Sequence, residues 1–324
     1  MTRFRRTQTK KASAILSADW HLRPDIPIGR IDDYFGAMEK KLDFILDLSK
    51  QHDCPILVAG DLGNHALNNG WPTWLLEWII NKFKGHDIMV IPGQHDLPNH
   101  QISQFDKSGM GVLDAAGVIK TIGIIQKEGC VPTGSHLPLL INSFFIIPFP
   151  YSMEMKYIGW DEEYQKKMPM MAMTHQMVIE NKEEWPGQKA VKGHQLLKQF
   201  PEYDLILSGD NHQAFTVEYQ GRVLVNPGSM MRNTAAQIDH KPRVYLWYAE
   251  TNEIEAVYLP IEHGVIDRSH IDNVQERDTR MDAFIQRVKK DIEIQLAYEK
   301  NLENYFQKYR TERPIKEKTW AAVI

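Results

Sequence analysis

Short apolar runs alternate in the first part of the chain with segments whose apolar residues recur every three or four positions. The runs at 12–18, 55–59 and 87–91 have the length and composition of buried strands. The segments 30–52 and 72–83 place their apolar residues on one face of a helix. Strands that alternate with helices in this way predict an α/β fold.

Further apolar runs predict that the rest of the core is mainly β-structure, with one short helix at 192–200. The expected strands lie at 118–125, 139–149, 169–173, 203–208, 214–219, 222–226, 243–249 and 254–261. The pattern changes after about residue 263, because residues 264–280 are polar and resemble a linker.

A helix with a single apolar stripe is predicted from Met281 onwards. Its stripe consists of Phe284, Val288, Ile292 and Leu296, extended by Leu302, Tyr305 and Tyr309. Such a stripe is stable only when it is buried. It packs either on the protein's own core or on a partner helix, and both interpretations stay open.

Polar side chains with metal-binding chemistry follow five of the predicted strands. They are Asp19, His21, Asp61, Gln94, His95, Asp96, His175, Asp210 and His212. One Gly-Asp pair is usually a turn, and one histidine in a turn is usually only hydrogen-bonded. Histidines and carboxylates that arrive from separate strand ends at one edge of a sheet are typical of a two-metal hydrolytic site.

Composition places the chain among ordinary globular proteins. Its 324 residues are 43% hydrophobic and 25% charged, with a formal net charge of −4. The charge excludes a globally basic nucleic-acid-binding protein, so contact with nucleic acid depends on local basic patches, such as residues 3–11 and 287–290. Cys54 and Cys130 are too isolated for a disulfide framework or a cysteine zinc site.

No apolar stretch approaches the length of about 20 residues that a membrane span needs. The apolar run after the basic N-terminus, 12–18, is barely long enough for a secretion signal and is cut off at Asp19. A cytoplasmic protein without a membrane partner is therefore expected.

The strand-end motifs stand in a recognisable order. They read Asp19-Trp20-His21-Leu22, Gly60-Asp61, Gly93-Gln94-His95-Asp96, His175 and Gly209-Asp210-Asn211-His212, and Asn226-Pro227-Gly228-Ser229 closes the β-rich part. This series resembles that of the calcineurin-like metallophosphoesterases over roughly residues 13–250. Within that family, it is most similar to the SbcD-type DNA nuclease subunits of bacteria and phages.

The resemblance implies a fold and a domain plan. The fold is an α/β metallophosphoesterase sandwich of two mixed β-sheets flanked by helices, with a C-terminal helical extension. The plan is a basic N-terminal tail (1–12), a metallophosphoesterase domain (13–262), a linker or small cap (263–280) and a helical extension (281–324).

The resemblance also implies roles for the strand-end residues, position by position. One divalent ion would be held by Asp19, His21, Asp61 and His212. The other would be held by Asp61, Gln94, His175 and Asp210. His95 would donate a proton or stabilise the transition state, with Asp96 orienting it.

Three positions depart from the family pattern. Gln94 stands where the family usually has Asn, and Asp210 stands where it usually has His. More oxygen ligands favour harder ions, so Mn²⁺ is expected, with Mg²⁺ as the alternative to it, rather than Zn²⁺. Asn64, followed by His65, occupies the place where related nucleases have a second catalytic side chain.

The function implied by the resemblance is that of a DNA exonuclease or endonuclease subunit. It would act with an SbcC-like SMC-type ATPase in DNA recombination, repair or end processing, and it would form a homodimer. Two alternatives stay open: a stand-alone phosphodiesterase or phosphatase with a non-DNA substrate, and an inactive scaffold for the ATPase.

The other histidines are expected to have no part in the site. Those predicted to be solvent-exposed are His52, His86, His136, His194, His240, His263 and His270. His100 is expected to lie outside the cleft, and the role of His65 is left open.

Overall fold

The computed structural model describes eight ranges of the chain. They are 10–66, 70–124, 139–157, 168–180, 190–267, 280–281, 284–285 and 298–323. The chain divides into two compact units, Met1–Ile266 and Asp267–Ile324. No helix in these ranges is both long and apolar enough to cross a membrane.

The described strands of the first unit overlap every predicted run and include two short strands, Val178–Ile179 and Val191–Lys192, that the sequence did not predict. They are β1 (Ala14–Ser17), β2 (Ile56–Val58), β3 (Ile88–Val90), β4 (Lys120–Thr121), β5 (Leu139–Ile141), β6 (Phe144–Phe149), β7 (Met170–His175), β8 (Val178–Ile179), β9 (Val191–Lys192), β10 (Leu205–Gly209), β11 (Phe215–Tyr219), β12 (Arg222–Asn226), β13 (Arg243–Tyr248) and β14 (Glu253–Tyr258). The predicted strand 222–226 has the same bounds as β12.

Twelve of these strands form two six-stranded mixed sheets. The first has the order β14-β13-β1-β2-β3-β4. Strands β1 to β4 run parallel to one another, β13 pairs antiparallel with β1, and β14 pairs antiparallel with β13. The second has the order β11-β12-β10-β7-β6-β5, with parallel strands in the centre. Strands β8 and β9 form a separate parallel pair. The predicted fold class is therefore confirmed.

The two sheets pack face to face because side chains alternate along each strand. Leu16 and Leu57 of the first sheet share a core cluster with Met173 and Leu207 of the second. Ile15 points to the opposite side, into a cluster with the helices that cover the first sheet. The sandwich core is thus formed from every second residue of the inner strands.

Helices cover the outer faces of the sandwich. In the first unit they are α1 (Tyr34–His52), α2 (Thr73–Phe83), α3 (Gly109–Ala115) and α4 (Gly193–Gln199). Helix α1 begins four residues later than predicted, because the Asp33 carboxylate accepts a hydrogen bond of 2.9 Å from the backbone N–H of Gly36 and caps the helix.

Some local predictions differ from the structure. The run 139–149 divides into β5 and β6, which are joined by a tight turn with Asn142 at a φ of 47°. Of the run 118–125, the structure describes only residues 120–121 as a strand. Helix α3 was not predicted, since Gly109 and Gly111 lower its intrinsic helical preference.

The second unit contains two helices among its described residues, α5 (Tyr298–Lys308) and α6 (Arg313–Val323). Within the predicted helix, the described residues 281, 284–285 and 298–308 are helical, and α6 is an additional element. Phe306 and Trp320 lie edge to face, with ring centroids 6.3 Å apart. The earlier stripe residues Val288, Ile292 and Leu296 lie outside the described residues, as does most of the predicted linker.

The predicted basic patches are described only in part. Lys10 pairs with Glu253, and Lys11 lies 3.5 Å from the carboxylate of Asp53. The remaining basic residues of both patches, between 3 and 6 and between 287 and 290, lie outside the described ranges.

Candidate metal centre

The polar strand ends of both sheets meet on one side of the sandwich. In the first sheet, Asp19 and His21 follow β1, and Asp61 follows β2. In the second sheet, β7 ends at His175 and β10 is followed by Asp210. A hydrogen bond of 3.1 Å from the backbone N–H of Asp210 to Oδ1 of Asp19 joins the two sheets at this point.

Four of these residues have a left-handed backbone. Their φ angles are 51° at Asp19, 46° at His21, 51° at Asp61 and 75° at Asp210. Each such non-glycine residue costs about 1–3 kcal/mol and persists only when its surroundings hold it in place. Strain of this kind concentrated at one sheet edge is typical of a functional site.

Glycines allow the ligand side chains to approach the backbone closely. A Cβ atom on Gly60 would overlap the imidazole of His175, and one on Gly93 would overlap the carboxylate of Asp61. The glycines of the Gly-Asp and Gly-Gln-His-Asp motifs are therefore required by packing at the site, in addition to their turn geometry.

Three overlapping groups of side chains could each hold a metal ion. They are Asp19 with His21 and His212, Asp19 with Asp61 and His175, and His21 with Asp61 and His95. Within each group, the ligand atoms lie within 4.8 Å of one another. Because Asp19, His21 and Asp61 each belong to two groups, the arrangement resembles one shared centre rather than separate sites.

Asp61 lies at the middle of this centre and is fully buried. Its Oδ1 accepts a hydrogen bond of 2.9 Å from the backbone N–H of His95. Its Oδ2 has no hydrogen-bond partner among the described residues and lies 3.4 Å from Nε2 of His175, 3.9 Å from Nε2 of His21 and 4.0 Å from Nε2 of His95.

The donor set fits a divalent metal centre. A second buried carboxylate oxygen, Oδ2 of Asp19, also has no hydrogen-bond partner among the described residues. An unsatisfied buried oxygen costs about 1–3 kcal/mol or more, and a cation satisfies it directly. The two carboxylates and the surrounding imidazoles therefore form a divalent-metal binding site.

His21 and His212 face each other, with their Nε2 atoms 3.0 Å apart. Burial lowers the pKa of His21 to about 3, because it outweighs the opposing effect of Asp61 and is supported by the neighbouring His212. Burial also lowers the pKa of His212. Both rings are thus neutral near pH 7, which is the form that binds metals.

His175 is oriented by the backbone of the neighbouring sheet. Its Nδ1 donates a hydrogen bond of 2.7 Å to the carbonyl oxygen of Ala59, which directs Nε2 towards Asp61. Burial alone would lower the pKa of His175, but the Asp61 carboxylate raises it to about 10. Burial opposes the ionisation of Asp61, yet the nearby His175 holds its pKa below the usual range.

Gln94 connects His175 to Asp210. Its Oε1 lies 2.8 Å from Nε2 of His175, and its Nε2 donates a hydrogen bond of 2.6 Å to Oδ1 of Asp210. The residues that the resemblance assigns to the second ion are therefore in mutual contact. Their roles as ligands stay a prediction.

Asp96 is fully buried and joins two loop segments, 62–63 and 93–96. Its carboxylate accepts hydrogen bonds from the backbone N–H groups of Gly63 at 2.8 Å, Gly93 at 2.9 Å and Leu62 at 3.2 Å. Burial and the nearby Asp61 raise its pKa to about 7. These contacts position the backbone around Asp61, while an orienting action on the His95 ring stays a prediction.

A cleft of about 630 Å³ opens beside the centre and is lined by Gln94, His95 and His212. The side chain of His95 is 39% exposed. Lys241 and Arg243 also line this cleft. The centre is therefore accessible to a substrate much larger than water.

His240 lines the same cleft, so the expectation that it is solvent-exposed is wrong. Its ring is partly buried, and its Nε2 lies 2.7 Å from the carbonyl oxygen of Ser229. Ser229 belongs to the Asn-Pro-Gly-Ser segment, which brings residues that follow it in sequence close to the site. That proximity depends on the fold and is absent from the local pattern.

His100 and His65 line a neighbouring cavity of about 360 Å³ together with His95. His100 is exposed and lines this neighbouring cavity rather than the cleft of about 630 Å³, as expected, and it lies in a short helical turn at Pro98–His100. His194 and His263 are exposed as predicted, whereas His52 and His86 are partly buried. His136 and His270 lie outside the described residues.

Comparisons with known proteins place the site in a family context. The family model described as calcineurin-like phosphoesterase matches residues 14–214. No protein in the curated set matches the sequence.

Three solved structures illustrate the structural similarity. An archaeal phosphodiesterase has 11% identity and a TM-score of 0.38, with 76% of this chain and 99% of that chain covered. The nuclease MPE of Pseudomonas putida has 16% identity and a TM-score of 0.31, with 76% and 88% covered. The phosphopantetheinyl hydrolase of Mycobacterium tuberculosis has 13% identity and a TM-score of 0.40, with 76% and 96% covered.

Proposed function

Since the chain belongs to the calcineurin-like phosphoesterase family, whose model matches residues 14–214, we propose that it is a two-metal DNA nuclease subunit. The observation that carries the hydrolytic part is the position of Asp61, whose free Oδ2 faces the Nε2 atoms of three histidines at 3.4–4.0 Å. The family implies metal-dependent phosphoester hydrolysis. The proposal adds the DNA substrate, the partner and the identity of the metal.

Two sets of ligands that share Asp61 would hold the ions. One set is Asp19, His21, Asp61 and His212, and the other is Asp61, Gln94, His175 and Asp210. Bound divalent ions supply electrostatic stabilisation of the charge that develops on phosphoryl oxygens. Asp19 and Asp61 would neutralise part of the metal charge, and the Ala59 carbonyl keeps the His175 ring in its ligating orientation.

His95 is the residue that would act directly on the substrate. Its backbone N–H is bound to Asp61, while its side chain lies at the cleft. A ring in that position can reach an oxygen of a bound phosphoester and donate a proton to the leaving group. Asp96 supports this arrangement by holding the backbone that follows Asp61, at Leu62 and Gly63, and the backbone of Gly93.

The cleft supports a polyanionic substrate. Lys241 and Arg243 are among the residues that line it. Cationic side chains beside a hydrolytic centre can bind the phosphates on either side of the one that is cleaved. A phosphodiester chain would use these positions, whereas a small phosphomonoester would not.

Mn²⁺ is the proposed metal, with Mg²⁺ as the alternative to it. Asp210 supplies carboxylate oxygens where the family usually has a histidine nitrogen, and Gln94 keeps the amide oxygen of the usual Asn on a side chain one methylene longer. Oxygen-rich sites favour harder ions over Zn²⁺. A purified enzyme that works with Zn²⁺ alone would contradict this proposal.

The proposed partner is an SbcC-like SMC-type ATPase, with this chain as a homodimer in the cytoplasm. The second unit, Asp267–Ile324, provides helices outside the catalytic unit. Ile315 and Tyr305 are exposed large apolar side chains on these helices. A helical partner could bury them, as the coiled coil of such an ATPase would.

The decisive experiment compares three substrates with Mn²⁺ and with Zn²⁺. Linear duplex DNA, a small phosphodiester and a small phosphomonoester would be incubated with the wild-type chain, Asp61→Asn and His95→Ala, with and without an SbcC-like ATPase. Hydrolysis that is confined to DNA and lost in both variants supports the nuclease. Hydrolysis of the small esters without DNA cleavage indicates a stand-alone phosphodiesterase or phosphatase, and no hydrolysis under any condition indicates a scaffold.

A further inference from the structure

A second cluster of charged side chains lies apart from the metal centre, around a small cavity. The cavity has a volume of about 50 Å³ and is bordered by helix α1 and by residues 260–262. Four basic residues line it, and three of them are almost fully buried: Lys41 is 4% exposed, and Arg30 and Arg232 are both 7% exposed, whereas Lys40 is exposed. Three buried cations around one cavity require compensation.

The charge of Arg30 is compensated by the carboxylate of Asp32. Its guanidinium binds Asp32 in a fork, with N···O distances of 2.7 and 2.6 Å, and also donates to the carbonyl oxygen of Arg232 at 2.9 Å. Arg232 donates to the carbonyl oxygens of Ile238 at 3.3 Å and Glu262 at 2.6 Å. These carbonyls satisfy N–H groups but carry no net charge.

Lys41 lines the same cavity as the two arginines, and no ion pair or hydrogen bond joins its side chain to another described residue. The other carboxylate that lines the cavity, Glu262, binds Lys40 at 3.0 Å and is 60% exposed. Burial, together with the charges of Arg30 and Arg232, lowers the pKa of Lys41 to about 8. The cavity is therefore lined by more positive than negative charge.

We propose that this cavity binds a small oxyanion, either inorganic phosphate or the terminal phosphate of a phosphate monoester, between Lys41 and the two arginines. Its volume holds a few water molecules or one small ion, because a single water needs about 10–15 Å³. Each guanidinium has five N–H groups, so both retain donors for an anion beyond the bonds described above. An oxyanion supplies the negative charge that the protein itself lacks here.

This site is distinct from the metal centre, because none of the metal-centre residues lines the cavity. The inference is thus independent of the proposed nuclease function.

The test measures thermal unfolding of the full chain against phosphate concentration at constant ionic strength and neutral pH. Wild type would be compared with Lys41→Met and with the matched control Lys50→Met, an exposed lysine on the same helix. The metal centre is the same in all three proteins, so any difference between them reports on the cavity. Binding to the folded state raises the unfolding temperature in a saturable way.

We expect a saturable rise for wild type and Lys50→Met. In Lys41→Met, the apparent affinity for phosphate should be weaker by about tenfold or more. Lys41→Arg keeps the charge and should retain most of the effect, which guards against a variant that fails to fold. An equal rise in Lys41→Met, or none in wild type, would overturn the proposal.

Repeating the titration with adenosine monophosphate identifies the source of the anion. A Lys41-dependent rise with the nucleotide assigns the site to phosphate monoesters. A Lys41-dependent rise with inorganic phosphate alone assigns it to the free ion. A rise with sodium chloride that equals the rise with phosphate would reflect ionic strength and would contradict the proposal.

Discussion

The side-chain amide of Gln94 donates a hydrogen bond of 2.6 Å to the carboxylate of Asp210. These are the two metal-centre positions at which the chain departs from the usual pattern of its family. Gln is one methylene longer than Asn, and Asp is shorter than His, so the two changes compensate each other in length across the contact. We interpret them as one coupled change.

The coupling predicts a non-additive double-mutant cycle. Gln94→Asn shortens the amide and Asp210→His lengthens its partner, so each single variant should lose Mn²⁺ affinity. The double variant restores the usual family pair and should bind more tightly than the sum of the single effects predicts, by about 0.5–3 kcal/mol. Metal titration of the four proteins by calorimetry measures this; additive effects would mean that the two residues act separately.

His95→Ala separates catalysis from metal binding. Because the backbone N–H of His95, rather than its side chain, binds Asp61, the alanine variant should keep its metal content. Loss of a proton donor should lower kcat by roughly a hundredfold or more, with a smaller change in KM. Metal analysis and steady-state kinetics on linear duplex DNA test this, with His194→Ala as an exposed control.

If His95→Ala instead loses its metal and its activity together, the ring acts as a ligand. The metal would then be held by His21, Asp61 and His95, whose ligand atoms lie within 4.8 Å of one another.

Asp96→Asn should reduce stability. Both carboxylate oxygens of Asp96 accept from backbone N–H groups, and an amide would turn its own N–H₂ group towards one of these donors. One unsatisfied buried donor costs about 1–3 kcal/mol. Chemical denaturation measures the change, and Asp106→Asn, at an exposed position, serves as the control. Unchanged stability would mean that the loops around Asp61 are held by other contacts.

Lys41→Met should raise stability at neutral pH when no oxyanion is present. The pKa of Lys41 is lowered from 10.5 to about 8, by burial first and then by Arg30 and Arg232, against the opposing charges of Asp32 and Glu262. Below pH 8, both the folded and the unfolded chain hold the proton, so the full penalty acts on the wild type. Removing the charge should then raise the free energy of unfolding by about 1–2 kcal/mol.

That gain should shrink as the pH rises. Between about pH 8 and 10.5 the unfolded chain binds more protons than the folded one, so this lysine's contribution to wild-type stability increases with pH. The difference between Lys41→Met and wild type in denaturation experiments across this range is the measurement. A difference independent of pH would mean that packing, and not charge, causes it.

Much of the candidate site could be predicted from residue order alone. Asp19, Asp61 and His175 each end or follow an apolar run, and parallel strands deliver their carboxyl ends to one edge. The structure brings these three side chains together, with ligand atoms within 4.8 Å of one another. The prediction succeeded because strand ends are local features whose meeting place follows from sheet architecture.

Other features depended on contacts between segments distant in the chain. His240 reaches the cleft beside the centre only because the loop that carries it folds back towards it. Lys40 and Lys41 are adjacent in sequence, yet Lys40 pairs with Glu262 in solvent while Lys41 is buried against two arginines. No local pattern distinguishes two neighbouring lysines.

The sequence by itself determined the α/β class, the order of strands and the residue types at the metal centre, because periodicity and strand-end chemistry are properties of short segments. Only the tertiary structure decided that Gln94 contacts Asp210, that Asp96 holds the backbone around Asp61, and that Lys41 faces a charged cavity. These relationships arise from packing between segments far apart in the chain, and packing fixes distances that periodicity does not contain.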